Sequence, residues 1–287
     1  MLSQRVMSAH INTSAMITQP QGQRRRVREN ESTAIVMPHI SPCFTEGMQQ
    51  GEILHGIATA YAHALRHGVE CRVPWQYSPQ TRTLSRLIGQ DVLKSTPGGD
   101  NEAISYRHGM MEYKPIPGKV RSGALLVRSQ SAAYFADAQA AVRRLFAPLV
   151  SPRKLRGVAG VCIRFGKCGC RDNDVLHAST RRFLSRALQS LSGDIRQLIL
   201  FSDDEDYLAG ILREIPESRA YRVEQSGLGC TALRAMTSMS ELVFDVSAVP
   251  WWAAWLSHPC RVVTSVAWRD DTFPALPENV RARWHFV

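Results

Sequence analysis

The chain has no apolar run approaching the ~20 residues that a helix needs to cross a bilayer, so no membrane-spanning segment is expected. Acidic residues are also in short supply. The 25 Asp and Glu stand against 35 Lys and Arg, which gives a formal net charge of +10 and a pI near 9.6. A basic excess of this size favours anionic partners: nucleotide diphosphates, nucleic acid or acidic membranes. A basic tail on an ordinary body gives the same total. Aromatic residues make up 8 % of the chain, and few are interleaved with basic ones in the manner that stacks single-stranded bases. Cysteine is sparse and odd in number, seven in 287 residues. A chain of this length holds a core without covalent staples, so free thiols in a reducing, intracellular compartment are expected. Cys162, Cys168 and Cys170 lie close in sequence. The Cys168-Gly169-Cys170 spacing is tighter than a zinc knuckle, and zinc would need a fourth ligand, so no metal is expected.

Residues 1–28 contain Arg5, Arg24, Arg25, Arg26 and Arg28 and no acidic residue. They lack the compact apolar segment of a secretory signal and have the Arg-rich, acid-poor character of a mitochondrial transit peptide. A disordered basic tail and an upstream extension are the other readings. Residues 1–32 are set apart from the fold on this basis.

Residues 33–38 (TAIVMP) read as the first strand. A helix follows over residues 51–66, with Ile53, Leu54, Ile57, Ala60, Tyr61, Ala64 and Leu65 on one side and Gly68 as its stop. Residues 69–74 read as a short strand. Residues 79–119 are rich in breakers, including Pro97-Gly98-Gly99 and Pro115-Ile116-Pro117-Gly118, and read as a loop region. Leu125-Leu126-Val127 reads as a strand. After it, Tyr134, Phe135, Ala138, Ala141, Val142, Leu145 and Phe146 fall on the core face of one helix. Pro148 and Pro152 mark a boundary between two halves, 33–150 and 151–287.

The second half opens with a buried strand over residues 157–165, then a helix over 180–191. Leu198-Ile199-Leu200-Phe201 is a continuous branched apolar run, the pattern of a strand buried on both faces. It ends at Ser202-Asp203-Asp204. Helices near 204–213 and 232–239 and a strand at Leu242-Val243-Phe244 follow. Pro250 suits the first turn of the next helix, which carries Trp251, Trp252 and Trp255. A last strand spans 261–266, and residues from 272 onward read as a closing tail. Strand and helix alternate throughout, which predicts an α/β fold with a parallel, doubly wound sheet. Ligands of such sheets sit beyond the carboxyl ends of the strands, so Ser202, Asp203 and Asp204 border a candidate site.

Three phrases carry a family resemblance. Phe201-Ser202-Asp203-Asp204 matches a strand-end F-S-D-D. Val246-Ser247-Ala248-Val249-Pro250-Trp251-Trp252-Ala253-Ala254-Trp255-Leu256 matches the tryptophan half of N-S-S-F-S-W-W-G/A-A-W-L and keeps Ser247 from its polar half. Gln130-Ser131 with Tyr134-Phe135 matches Q-S-E-K-Y-F. With these phrases in family order along the chain, it resembles the alpha-1,2-fucosyltransferase family, inverting enzymes that use GDP-fucose. The resemblance implies two facing Rossmann-like halves of GT-B type, an acceptor-side half at 33–150 and a nucleotide-sugar half at 151–287. It also implies a galactose-terminated glycan acceptor, and no cofactor or metal beyond the GDP-fucose donor.

Transfer from a nucleotide diphosphate needs a cation or helix N-terminus on the departing diphosphate, and a base for the acceptor hydroxyl. The family meets the first need with H-x-R-R-G-D. Here the phrase is Cys162-Ile163-Arg164-Phe165-Gly166-Lys167, which keeps Arg164 and Gly166 and replaces the histidine, the second arginine and the aspartate. Arg164 is the expected diphosphate contact, with Gly166 and with Lys167 as a point charge; pairing of Arg164 with a strand-end carboxylate is the competing reading. Ser202, Asp203, Asp204 and Ser247 are further donor contacts, Asp204 being equally placed to begin a helix. Asp172, Asp174 and His177 are the candidate bases. The first loop phrase of the family keeps only Gly51. Such losses beside retained apolar faces also suit an inactive module of the same fold, binding RNA or serving an organellar assembly.

Overall fold

The computed structural model of the chain describes residues 37–89, 93–95, 104–108, 113–128, 131–166, 174–225, 227–245, 247–257, 261–265 and 282–287. The N-terminal tail, Lys167, Asp172, Cys168 and Cys170 lie outside them.

Short strands alternate with helices along the described chain. The first set comprises β1 (His39–Pro42), α1 (Gln50–His67), β2 (Glu70–Val73), α2 (Pro79–Ile88), β3 (Lys94–Ser95), β4 (Ile104–His108), β5 (Gly123–Val127) and α3 (Gln139–Leu145). Its sheet has the order β3-β2-β1-β5-β4, with every pairing parallel. The second set comprises β6 (Leu155–Ile163), α4 (Asp174–Gln189), β7 (Gln197–Ser202), α5 (Glu205–Arg213), β8 (Ala220–Val223), α6 (Cys230–Met236), β9 (Met239–Phe244), α7 (Ala248–Leu256), β10 (Arg261–Thr264) and β11 (Trp284–Phe286). Its sheet is also all parallel, in the order β11-β10-β9-β6-β7-β8. Counted from β6 this is the 3-2-1-4-5-6 order of the Rossmann fold, and it reverses between β6 and β9. The α/β class with two Rossmann-like halves is as the sequence predicts.

The second sheet shows why its strands read as unbroken apolar runs. Along β6 and β7, Ala159, Val161, Ile163, Leu198 and Leu200 pack under α4 and α5. Their alternates Cys162, Ile199 and Phe201 pack on the other face with α6 and α7. A strand covered on both sides has no polar face to show. Among the described residues, no helix is long and apolar enough to cross a membrane.

Several expectations need correction. The strand expected at 33–38 falls mostly outside the described residues; Met37 is 63 % exposed and in no strand, and the first described strand is His39–Pro42. All four of its residues are buried, two of them polar, so hydropathy does not mark it. The presumed loop region holds α2, β3 and β4. Helix α2 has a readable start: the Ser78 hydroxyl accepts from Thr81 N at 3.1 Å, and Pro79 stands at the first turn. The single helix expected over 134–146 is a 3-10 turn, Ala132–Phe135, followed by the short α3. Arg66 of α1 explains the break. Its guanidinium donates to Tyr134 O and to Asp137 at 2.6 and 2.7 Å, taking a carbonyl that a continuous helix would use. Finally, the tail contributes β11, paired with β10.

Helix α1 is not one-sided, as its pattern suggested. Ile53, Leu54, Ile57, Ala58, Ala60, Ala62 and Ala64 are all at or below 1 % exposure, whereas Leu65 is 48 % exposed. The helix runs through the core, with Gly68 stopping it at φ 61°, a left-handed conformation that costs glycine little. On one side it meets α7. An added Cβ on Gly51 would lie 2.4 Å from Ala248 Cβ and 2.8 Å from its carbonyl carbon. Since α1 follows β1 and α7 follows β9, this contact brings the C-terminal ends of the two sheets together.

Candidate functional site

The reversal between β6 and β9 is where a sheet of this order opens a crevice. Arg164 stands one residue beyond β6 at its lip. Its Nε lies 3.5 Å from Asp203 Oδ2, with the two side chains 35 % and 30 % exposed. The pairing left open by the sequence is therefore present. Asp203 does more than pair. Its carboxylate accepts Phe165 N at 2.8 Å and Gly166 N at 2.9 Å, and so fixes the turn that follows Arg164. Gly166 takes φ 74° in that turn.

The remaining sequence candidates divide. Ser202 is buried, and its hydroxyl accepts Asp204 N at 3.0 Å. Asp204 is the N-cap of α5, accepting Tyr207 N at 3.2 Å, which is the helix-starting reading. Ser247 is buried just before α7 and makes no side-chain cap to it. Asp174 opens α4 and is exposed. His177 lies between α4 and α5: Nδ1 is 3.1 Å from the Tyr207 hydroxyl and Nε2 is 3.1 Å from Glu214 Oε2. His177 and Arg181 hold the Glu214 carboxyl below its usual range. Arg164, Gly166, Ser202 and Asp203 are thus gathered at the ends of β6 and β7, while His177 serves a helix-to-helix link.

One residue of this edge escaped the sequence reading. Asp245 follows β9 directly, and Phe244 is in register with Cys162 of β6. Burial raises the Asp245 carboxyl from its ordinary value to about 7, against the backbone N–H of Arg164, which its carboxylate accepts. Burial likewise pushes the Cys162 thiol well up, with Asp245 and Asp203 adding to the effect. The only signal in the sequence was an acidic residue ending an apolar strand.

The first sheet reverses between β1 and β5. Beyond those strands, Arg128 Nη2 donates to Thr45 Oγ1 at 3.1 Å. At the first turn of α1, Gln50 is 4 % exposed, and its Nε2 has no hydrogen-bond partner among the described residues. The first turn of α7 is itself covered, since a Cβ on Gly51 would sit 3.0 Å from Val249 N. Trp251, Trp252 and Trp255 are at most 1 % exposed and pack with Phe135 and Phe146, as core residues. Among the described residues, no three metal-ligating side chains gather. Two open surface cavities, of about 440 and 490 Å³, involve the strand starts Arg196, Glu241 and Arg261, the edge opposite to Arg164.

No family model and no curated protein matches the chain. Among solved structures it is similar to a NodZ alpha-1,6-fucosyltransferase soaked with GDP-fucose, at 10 % identity and a TM-score of 0.49, covering 80 % of this chain and 95 % of that one. It is also similar to a selenomethionine form of fucosyltransferase NodZ from Bradyrhizobium, at 11 % identity and a TM-score of 0.48, covering 80 % and 94 %.

Proposed function

We propose that the protein is a glycosyltransferase that moves fucose from GDP-fucose to a galactoside hydroxyl with inversion. The observation that carries this reading is Arg164 at the lip of the β6–β9 reversal, where a Rossmann-ordered sheet binds nucleotides. The family phrases on β7 and α7 supply the identity of the donor.

In this reading residues 151–287 hold the donor and residues 33–150 present the acceptor. The acceptor oxygen attacks the sugar C1 as its proton passes to a base, and the C1–O bond to the diphosphate breaks. The diphosphate leaves with the electron pair, and Arg164 stabilises that charge with a charge-assisted hydrogen bond. Lys167 is the proposed second cation. Asp172 and Asp174, on the segment after Arg164, are the proposed bases. His177, already held by Tyr207 and Glu214, is the less suited of the three.

One observation favours an inactive module instead: Asp203 engages the one arginine that remains from the family phrase. Calorimetry with GDP and GDP-fucose separates the readings. GDP binding followed by donor hydrolysis, or by transfer to a galactose-terminated acceptor, supports the enzyme. Absence of GDP binding, with salt-dependent retention of RNA instead, overturns it.

A further inference from the structure

Asp245 and Arg164 close the C-terminal ends of β9 and β6, the two strands that flank the reversal. The carboxylate of Asp245 accepts the backbone N–H of Arg164. The groups facing it among the described residues are the Arg164 guanidinium, the Asp203 carboxylate of the β7 end, and the Cys162 thiol on β6. That thiol stays neutral because burial raises its pKa. The edge therefore holds one cation and two carboxylates.

A nucleoside diphosphate sugar brings two further negative charges. With both carboxylates ionised, the Arg164–Asp203–Asp245 group carries a net charge of about −1, which repels a diphosphate. Asp203 already accepts two backbone N–H groups and lies 3.5 Å from Arg164 Nε. Asp245 is more buried, and that burial raises its carboxyl from its ordinary value to about 7. The buried Gln50 amide at the first turn of α1, its Nε2 without a hydrogen-bond partner among the described residues, is a further polar group where the strand ends of the two sheets converge.

We propose that Asp245 is part of the donor site, and that seating a diphosphate beside Arg164 is coupled to uptake of one proton by the Asp245 carboxyl. This rests on the nucleotide-sugar reading of the crevice. The proton comes from solvent, adds to a carboxylate oxygen and returns to solvent when the donor leaves. No covalent bond of the ligand changes. The neutral carboxyl no longer repels the phosphates.

The test uses the full chain and GDP-fucose, whose diphosphate is esterified at both ends and does not titrate near neutrality. Calorimetry in two buffers of different ionisation heat measures protons taken up per donor bound. The wild-type protein should bind roughly ten-fold more tightly at pH 6 than at pH 8, since only the protonated fraction is competent, with uptake approaching one proton at pH 8. Asp245→Asn should bind with little dependence on pH and no proton uptake. Donor binding by the wild type with equal affinity at both pH values and no uptake overturns the role of Asp245 and leaves the glycosyltransferase reading standing. Undiminished uptake in Asp245→Asn also overturns it. Failure to bind the donor at any pH removes both.

Discussion

The indole N–H of Trp252 lies 2.7 Å from His55 Nδ1 and 3.0 Å from Gly51 O, joining residues 197 positions apart across the α1–α7 contact. Both side chains are almost fully buried, at 0 % and 2 % exposure. His55 Nδ1 also lies 3.1 Å from Gly51 O, so the carbonyl, the imidazole nitrogen and the indole N–H meet in one buried cluster. The bond ties the helix after β1 to the helix after β9, and so ties one sheet to the other.

Trp252→Phe keeps an aromatic ring and deletes the donor. It should cost about 1–3 kcal/mol, because buried acceptors lose their partner. Trp252→Ala should cost roughly 3–5 kcal/mol, since it also opens a cavity. Urea-unfolding midpoints check both. A Phe variant as stable as the wild type would show that the link contributes only packing.

At Gly51 two effects oppose each other. Alanine is the better helix former by about 1 kcal/mol, yet its Cβ would meet Ala248 Cβ at 2.4 Å and backbone atoms at 2.8 and 3.0 Å. Backbone cannot yield as a side chain can, so Gly51→Ala should destabilise by about 1–3 kcal/mol. Adding Ala248→Gly should recover only part of this, because two of the three close atoms remain. A thermal melt in which Gly51→Ala gains stability would contradict the close approach.

Arg164→Ala should weaken GDP binding by roughly 1.5–3 kcal/mol through loss of a charge-assisted hydrogen bond. Its melting temperature should barely move. The Asp203 pair is about one-third exposed and 3.5 Å long, and such pairs contribute little, while Asp203 keeps its two backbone donors. Unchanged affinity would take Arg164 out of the site.

Two buried groups give stability opposite dependences on pH. Asp245 has a folded pKa raised from 3.8 to about 7. Its stability is fully present below the unfolded value and is lost as pH rises towards 7, by up to about 4 kcal/mol. Asp245→Asn should therefore stabilise the protein at pH 8 and leave it nearly unchanged at pH 4. Denaturation at both pH values reads this, and equal effects at the two would refute the raised pKa.

His63 acts the other way. Burial lowers its pKa below 6.5, ahead of the repulsion from His67 and Arg66, although its Nε2 bonds Val120 O at 2.6 Å. A depressed folded pKa gives stability that is present above the unfolded value and lost as pH falls through the folded one. His63→Gln, which keeps a donor, should flatten the acid limb of the stability curve below about pH 6.

The sequence showed elements wherever apolar pattern and burial agree. Leu198-Ile199-Leu200-Phe201 is buried on both faces and reads as a strand; Trp251, Trp252 and Trp255 lie in the core and read as packing. It failed where tertiary contacts replace local signals. His39–Pro42 is a strand because its neighbours β2 and β5 cover it, and the break after Tyr134 depends on Arg66, which is 68 residues away. Arg164, Ser202 and Asp203 could be placed at strand ends because parallel sheets put ligands there. Asp245 could not, since its character comes from burial beside a strand 80 residues earlier, and a lone aspartate in sequence carries no trace of that environment.

The close approach of Gly51 to Ala248 and the indole bond of Trp252 to Gly51 O sit on the same two helices, one leaving each sheet. A side chain added at Gly51 therefore presses on the packing of both sheets at a single point.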